Sequence, residues 1–143
     1  MIGTRTNRLD AKGRLAIPAK WREQLGDCVV VVKGMNNCLD VYRQEDFYEV
    51  MDKLDETPFF SDDKVRQLKR NMYSSAEELE PDKQGRVLLT PDHRKHASME
   101  GEMDVVVRGV GNHLELWNAD VWDSYNADFS MEENGRYLYR QQM

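Results

Sequence analysis

A short turn motif occurs twice in this chain, and that duplication constrains the fold more than any other feature of the sequence. Asp10-Ala11-Lys12-Gly13-Arg14 runs into Leu15-Ala16-Ile17-Pro18, and Asp82-Lys83-Gln84-Gly85-Arg86 runs into Val87-Leu88-Leu89-Thr90-Pro91. Each copy reads D-x-x-G-R, three apolar residues, a proline within one position and then an arginine, Arg22 or Arg94. The aspartates stand 72 residues apart, and so do the arginines. The likeness continues downstream, where Lys33–Tyr42 matches Arg108–Trp117 and Phe47 matches Trp122, now at a spacing of 75 because three extra residues fall between Arg94 and Asp104. A chain that repeats one supersecondary unit predicts two halves facing each other as pseudo-symmetric partners, with any binding loop present twice.

At 143 residues the chain fits one compact domain or two small intertwined halves. Hydrophobic residues make up 40%, enough for a modest core, and the 32% charged residues imply a very polar surface. No apolar run approaches the ~20 residues that cross a bilayer. The start, Met1–Arg8, lacks the apolar centre of a signal peptide, so the expected location is the cytoplasm and no membrane partner is expected. Cys28 and Cys38 open successive predicted strands, with Gly34–Asn37 as the turn. That hairpin would set Cys38 beside Lys33, about 16 Å along the strand from Cys28, beyond the roughly 7 Å that a disulfide spans. Both thiols are therefore expected reduced and partly buried.

The net charge is −6, yet it is unevenly spread. Residues 1–22 hold Arg5, Arg8, Lys12, Arg14, Lys20 and Arg22 against Asp10 alone, a balance of +5, which leaves −11 for the other 121 residues. This polarity predicts a basic face on an acidic body.

Patterning places strands at Thr4–Leu9, Arg14–Ile17, Cys28–Val32 and Cys38–Tyr42, the third being a β-branched run expected to be buried on both faces. Asp10–Gly13 suits a type I turn. Pro18 opens a helix over Ala19–Leu25 that Gly26 stops. A second helix over Gln44–Leu54 carries Phe47, Val50, Met51 and Leu54 on one face and ends at Thr57-Pro58. Ser61 is the expected N-cap of a connecting helix with Val65, Leu68 and Met72 inward and Lys64, Arg66, Lys69 and Arg70 solvated. The second copy repeats the order: a weak strand Ala76–Leu79, the turn Asp82–Gly85, strands Arg86–Leu89, Met103–Arg108 and His113–Trp117, and helices over Asp92–Ala97 and Ala119–Phe129. Met131–Met143 shows no clear period. The whole is β-rich with short helices, and strands of one half are expected to pair with the other.

Catalysis finds no support. Asp10 and Asp82 could in principle share acid–base work, but a D-x-x-G turn gives the aspartate a structural task, either capping the turn or pairing with Arg14 or Arg86. There is no recognisable nucleophilic triad and no glycine-rich phosphate loop, so neither an enzyme, a cofactor nor a small-molecule substrate is expected. His93 and His96 are spaced to share a metal, but without a nearby cysteine or paired acid they, like His113, are expected to be surface histidines, and no metal is expected. Nucleic acid fits better. An arginine directly after a tight glycine-containing turn sits on a rigid hairpin, where its planar fork can reach phosphates or a guanine edge. Arg5, Arg8, Lys12 and Arg14 in the first copy, with Lys83 and Arg86 in the second, are the candidate DNA-binding residues. Asp10, Gly13, Asp82 and Gly85 are the candidate loop-structuring residues.

Over nearly its whole length, the chain resembles the MraZ family of the AbrB-like (SpoVT-AbrB) swapped-hairpin group. The resemblance rests on Leu9–Pro18 with Trp21-Arg22-Glu23, and on Asp82–Pro91 with Arg94. It implies an α+β, β-rich fold of two tandem AbrB-like swapped-hairpin units in a pseudo-symmetric β-barrel-like domain. On that scheme 1–54 and 76–129 are the repeats, 55–75 is the connecting helix segment and 130–143 is a C-terminal tail. It also implies a nucleoid-associated bacterial transcriptional regulator of the division and cell-wall gene cluster, acting on its own promoter. The implied assembly is a homo-oligomer, a ring whose loops engage tandem G-rich repeats of double-stranded DNA. Asp10 and Arg14, with Asp82 and Arg86, inherit the family's site, the arginines facing DNA. Glu80, Asp82 and Asp92 make the second loop region less basic, so the first copy is expected to dominate affinity. Two other readings stay open: an AbrB-type antitoxin-like module, and a scaffold whose basic arm contacts acidic protein.

Overall fold

In the computed structural model, described here for residues 1–56, 63–127 and 129–142, eight strands form a single antiparallel sheet that curls into a nearly closed barrel. The strands are β1 (Ile2–Leu9), β2 (Arg14–Ala16), β3 (Val29–Lys33), β4 (Leu39–Arg43), β5 (Glu77–Leu79), β6 (Arg86–Leu88), β7 (Met103–Val110) and β8 (His113–Asn118), in the order β5-β3-β4-β8-β7-β1-β2-β6. Among the described residues six helices decorate it: α1 (Ala19–Leu25), α2 (Gln44–Asp55), α3 (Asp63–Ser75), α4 (Pro91–His96), α5 (Ala119–Asn126) and α6 (Met131–Gln142). The expected fold class, two hairpin units building one barrel-like domain, is what the chain adopts.

The halves are interlocked rather than adjacent. β1 pairs with β7, β2 with β6, β3 with β5 and β4 with β8, so every strand of one copy borders a strand of the other. Two registers locate the pseudo-twofold axis. Leu15 faces Val87, its own counterpart, and Asp40 faces Glu115, also its own counterpart. The axis therefore enters the barrel between β2 and β6 and leaves between β4 and β8.

The copies differ at one edge. β1 pairs with β7 from Ile2↔Val110 to Leu9↔Met103, whereas β5 pairs with β3 only from Val31↔Glu77 to Val29↔Leu79. Pro81 occupies the position of Leu9 and brings no N–H to a ladder. Glu77, Glu78 and Glu80 add charge suited to an edge strand.

Leu9, Leu15, Ile17, Trp21, Leu25, Val29, Val31, Leu39, Val41, Val87, Leu89, Val105, Val107, Leu114 and Leu116 fill the barrel and are all buried. Val30 and Val32 point the other way, into a second cluster with Tyr42, Phe47 and Met51, which α2 and α3 cover. That confirms the two-sided burial expected of the valine run. The aromatic positions of the repeat also match in space: Tyr42 meets Phe47 edge-on at 5.9 Å, and Trp117 meets Trp122 edge-on at 5.1 Å.

Several expectations need correction. Residues 131–142 form a helix, α6, whose Tyr137, Leu138 and Tyr139 stay exposed; its glutamates, arginines and glutamines favour a helix despite Gly135. Cys28 and Cys38 precede their strands rather than open them; Cys28 is half-buried, Cys38 is fully buried, and both are free. Pro18 is the N-cap of α1, not its first residue. β2 and α5 end earlier than expected, at Ala16 and Asn126. On α3, Lys69 pairs with Asp55 and Arg66 with Asp63, so that charged face is partly neutralised. Thr57-Pro58 and the expected N-cap Ser61 lie outside the described residues. No helix among the described residues is long and apolar enough to cross a membrane.

Candidate nucleic-acid interface

Each D-x-x-G-R segment closes in the same way. Asp10 Oδ1 accepts the backbone N–H groups of Lys12 (2.9 Å) and Arg14 (2.8 Å), while Oδ2 takes Arg14 Nε at 2.8 Å. Asp82 repeats this with Gln84 (2.9 Å), Arg86 N (2.9 Å) and Arg86 Nε (2.8 Å). One carboxylate thus satisfies three donors, as short polar side chains do in turns. Those donors, the arginine N–H foremost, hold both carboxyls below the ordinary carboxylate range despite some desolvation. Gly13 and Gly85 complete the turns at φ +87° and +76°, a conformation that suits glycine.

Fixing Nε leaves the far end of each guanidinium available. Arg14 and Arg86 take no further partner among the described residues, and their side chains are 34% and 29% exposed. The β2·β6 register sets where they point. Leu15 and Val87 face the core, so Arg14, Ala16, Arg86 and Leu88 share the outer face of a two-stranded ribbon. Arg14 and Arg86 are diagonal neighbours there, roughly 7–8 Å apart at Cα. The two loops flank the ribbon at opposite ends, tied by Ile17 N–H to Gly85 O (2.8 Å) and Leu89 N–H to Gly13 O (2.9 Å).

The other expected DNA-binding residues divide. Lys12 and Lys83 are exposed on the loops. Arg8 lies on the outer side of β1, in an exposed ion pair with Asp104 at 3.2 Å, a link worth little in water. Arg5 does not join them: it shares the parity of Leu9, stands opposite the core residue Val107, and donates to Thr4 O at 2.8 Å.

Sequence reasoning missed the opposite pole of the axis. The repeat places an acid at equivalent positions of β4 and β8, and the fold brings the two face to face. Asp40 has no lysine or arginine partner among the described residues, and the half-buried imidazole of His113 lies with Nε2 3.9 Å from it. Arg108 stands opposite Glu115 in register, but its guanidinium lies over the Trp122 ring at 4.0 Å. Burial, with Glu115 adding to it, pushes the Asp40 carboxyl up to about 7. Cys38 Sγ lies within 4.8 Å of both carboxylates, and burial raises its thiol as well.

The histidines also need correction. His93 is buried, with Nε2 2.6 Å from Ser75 O, and His96 Nε2 sits 2.9 Å from Asn36 O. Both fasten α4 to other parts of the chain, His93 from a buried position and His96 from a half-buried one, because α4 packs against β3.

Interlocked copies of a hairpin unit, with an aspartate-clamped arginine at each end of a shared ribbon, define a swapped-hairpin protein of two repeats. The family model described as "MraZ protein, putative antitoxin-like" matches twice, over residues 1–71 and 72–137. The chain belongs to the MraZ family. A protein named Transcriptional regulator MraZ from Desulforamulus reducens is 44% identical over 126 residues, 88% of this chain and 87% of its own. Its namesake in Thermoanaerobacter sp. strain X514 is 41% identical over 140 residues, 96% of both chains. Another, in Ligilactobacillus salivarius, is 44% identical over 133 residues, 93% of this chain and 90% of its own. These names describe transcriptional regulators, not enzymes.

Proposed function

We propose that this transcriptional regulator binds double-stranded DNA sequence-specifically, on its own promoter ahead of the division and cell-wall gene cluster, through tandem G-rich repeats. The observation that carries this reading is the β2·β6 ribbon, which presents Arg14 and Arg86 on one solvent face with their forks free. A two-stranded ribbon fits the major groove, and a bidentate arginine is the commonest reader of guanine. Lys12, Lys83 and Arg8 supply phosphate contacts around it, and Arg5 adds long-range charge from β1. Asp10, Gly13, Asp82 and Gly85 set the loop shape.

On this reading residues 1–54 and 76–129 act as the two DNA-presenting repeats, joined by 55–75, with 130–143 as the tail. One protomer binds weakly. A homo-oligomeric ring gains avidity by engaging several repeats at once, which keeps the protein on the nucleoid. The alternative, an antitoxin-like module, is named in the description of the matching family, and the exposure of α6, like a partner-binding arm, favours it. Against it, the whole motif is duplicated.

The test is fluorescence anisotropy with a duplex from directly upstream of the chain's own gene. Arg14→Ala abolishes specific binding, and Arg86→Ala weakens it about tenfold, a loss of ~1.4 kcal/mol. Wild-type binding by both variants would refute the loop assignment.

A further inference from the structure

Each loop is roofed by an arginine from the other repeat. Arg22, in the last turn of α1 in the first copy, lies over Gly85 of the second loop, so close that a Cβ there would overlap its Nε and Cζ. Its counterpart Arg94, on α4 in the second copy, lies over Gly13 of the first loop, with Nε 3.0 Å and Cζ 3.1 Å from the same hypothetical atom. Arg22 Nε donates to Ile17 O at 2.7 Å, and the N–H of that same residue donates to Gly85 O. Arginine, Ile17 and loop glycine thus form one chain of contacts across the repeat boundary. Arg94 Nε is buried against Gly13 without a hydrogen-bond partner among the described residues.

We propose that Arg22 and Arg94 are crossed positioning residues, each fixing the DNA-facing loop of the opposite repeat. The inference rests on the DNA-binding reading of the loops. A flat, glycine-only surface lets the guanidinium lie against the backbone that presents Arg14 or Arg86. Removing it frees the turn to twist without unmaking the barrel, because neither arginine belongs to the buried apolar core. The crossing has a consequence that a merely local role would not produce: damage at α4 appears in the first loop, and damage at α1 in the second. Arg94, lacking the hydrogen bond that Arg22 makes, is the softer of the two braces, so the first loop is the more adaptable one.

The test reads the two loops separately in the full-length protein. Amide hydrogen exchange is followed at Lys12 and Arg14, and at Gln84 and Arg86, in Arg94→Gln and Arg22→Gln, with circular dichroism as the folding control. Arg94→Gln speeds exchange at Lys12 and Arg14 about tenfold and leaves Gln84 and Arg86 within about twofold, while Arg22→Gln does the reverse. Exchange that rises in the loop of the same repeat, or in neither, overturns the proposal. A lysine at either position keeps the aliphatic stem and restores part of the protection. If a glutamine variant fails to fold, Arg94→Lys against Arg22→Lys reads the same crossed pattern at smaller amplitude, and its absence overturns the proposal equally.

Binding to the upstream duplex supplies the second arm. In an Arg86→Ala background, where the first loop alone sustains affinity, Arg94→Gln costs a further tenfold or so and Arg22→Gln less than about twofold. Equal losses overturn the crossing. Unaltered binding in Arg14→Ala and Arg86→Ala would instead refute the DNA reading, and the exchange experiment would still decide whether the braces cross.

Discussion

At the scale of single residues, aspartates do two opposite jobs in this protein. Asp10 and Asp82 are ionised clamps: their carboxyls lie below the ordinary range because backbone N–H groups and an arginine favour the charged form. Stability from such a group is present above its unfolded pKa and lost as pH falls through the folded one. Asp10→Ala, which removes three acceptor contacts at once, is expected to weaken promoter binding at least about tenfold, while Asp104→Ala, which frees Arg8, stays within about twofold. Comparable losses in the two titrations would remove the clamp from the account. Asp40 is the reverse case. Its carboxyl is pushed up to about 7 by burial and by Glu115, so the fold favours the protonated form. Its contribution is full below the unfolded pKa and is lost as pH rises through about 7. Asp40→Asn should therefore raise Tm by about 5 °C or more at pH ~8 and by little at pH ~4. His113, lowered by burial, tilts the other way, since a neutral buried imidazole loses stability as the solution acidifies. A thermal scan of Asp40→Asn showing the same shift at both pH values would contradict this assignment.

At the scale of elements, the sequence disclosed most where local chemistry decides and least where partners do. The two D-x-x-G-R turns, the valine run of β3 and the Phe47/Met51 face of α2 were legible because turn chemistry and apolar period act within a few residues. The core role of His93 was not, because its setting comes from Ser75, 18 residues away. The facing of Asp40 and Glu115 follows from the register of β4 on β8, which no local pattern encodes, although the repeat alone could have suggested like positions meeting on an axis. α6 was missed because Gly135 falls inside it, and a glycine argues locally against a helix. In the candidate site, the arginines after the turns were legible, whereas their placement on one ribbon face, and the exclusion of Arg5 from it, depend on inter-repeat pairing. Gly26 and Gly85 call for glycine for different reasons. Gly26, at φ +77° and ψ −160°, has nothing within 4 Å of a built Cβ, so its demand is backbone conformation alone. Gly85, at φ +76°, also meets Arg22. Gly26→Ala should cost roughly 2–3 kcal/mol in urea unfolding, and a cost under about 0.5 kcal/mol would mean that the backbone there relaxes freely.

At the scale of the whole molecule, duplication has produced a polar object. The pseudo-twofold axis leaves the barrel between two arginines at one pole and between two acids at the other. A protein of net charge −6 can thus approach a polyanion through one face while its body repels it, which favours a single docking orientation. The barrel does not depend on α6, whose apolar side chains are exposed; removal of residues 131–143 should move Tm by less than about 2 °C, and a larger loss would show that the tail packs on the core. The central claim, a DNA-reading ribbon repeated around an assembly, is tested most directly by binding to the upstream duplex, with its tandem repeats intact or scrambled, at two salt concentrations. The account predicts a clear preference for the intact repeats and an affinity that falls steeply as salt rises. Equal, weak binding to both duplexes would contradict it and leave only a generic basic face.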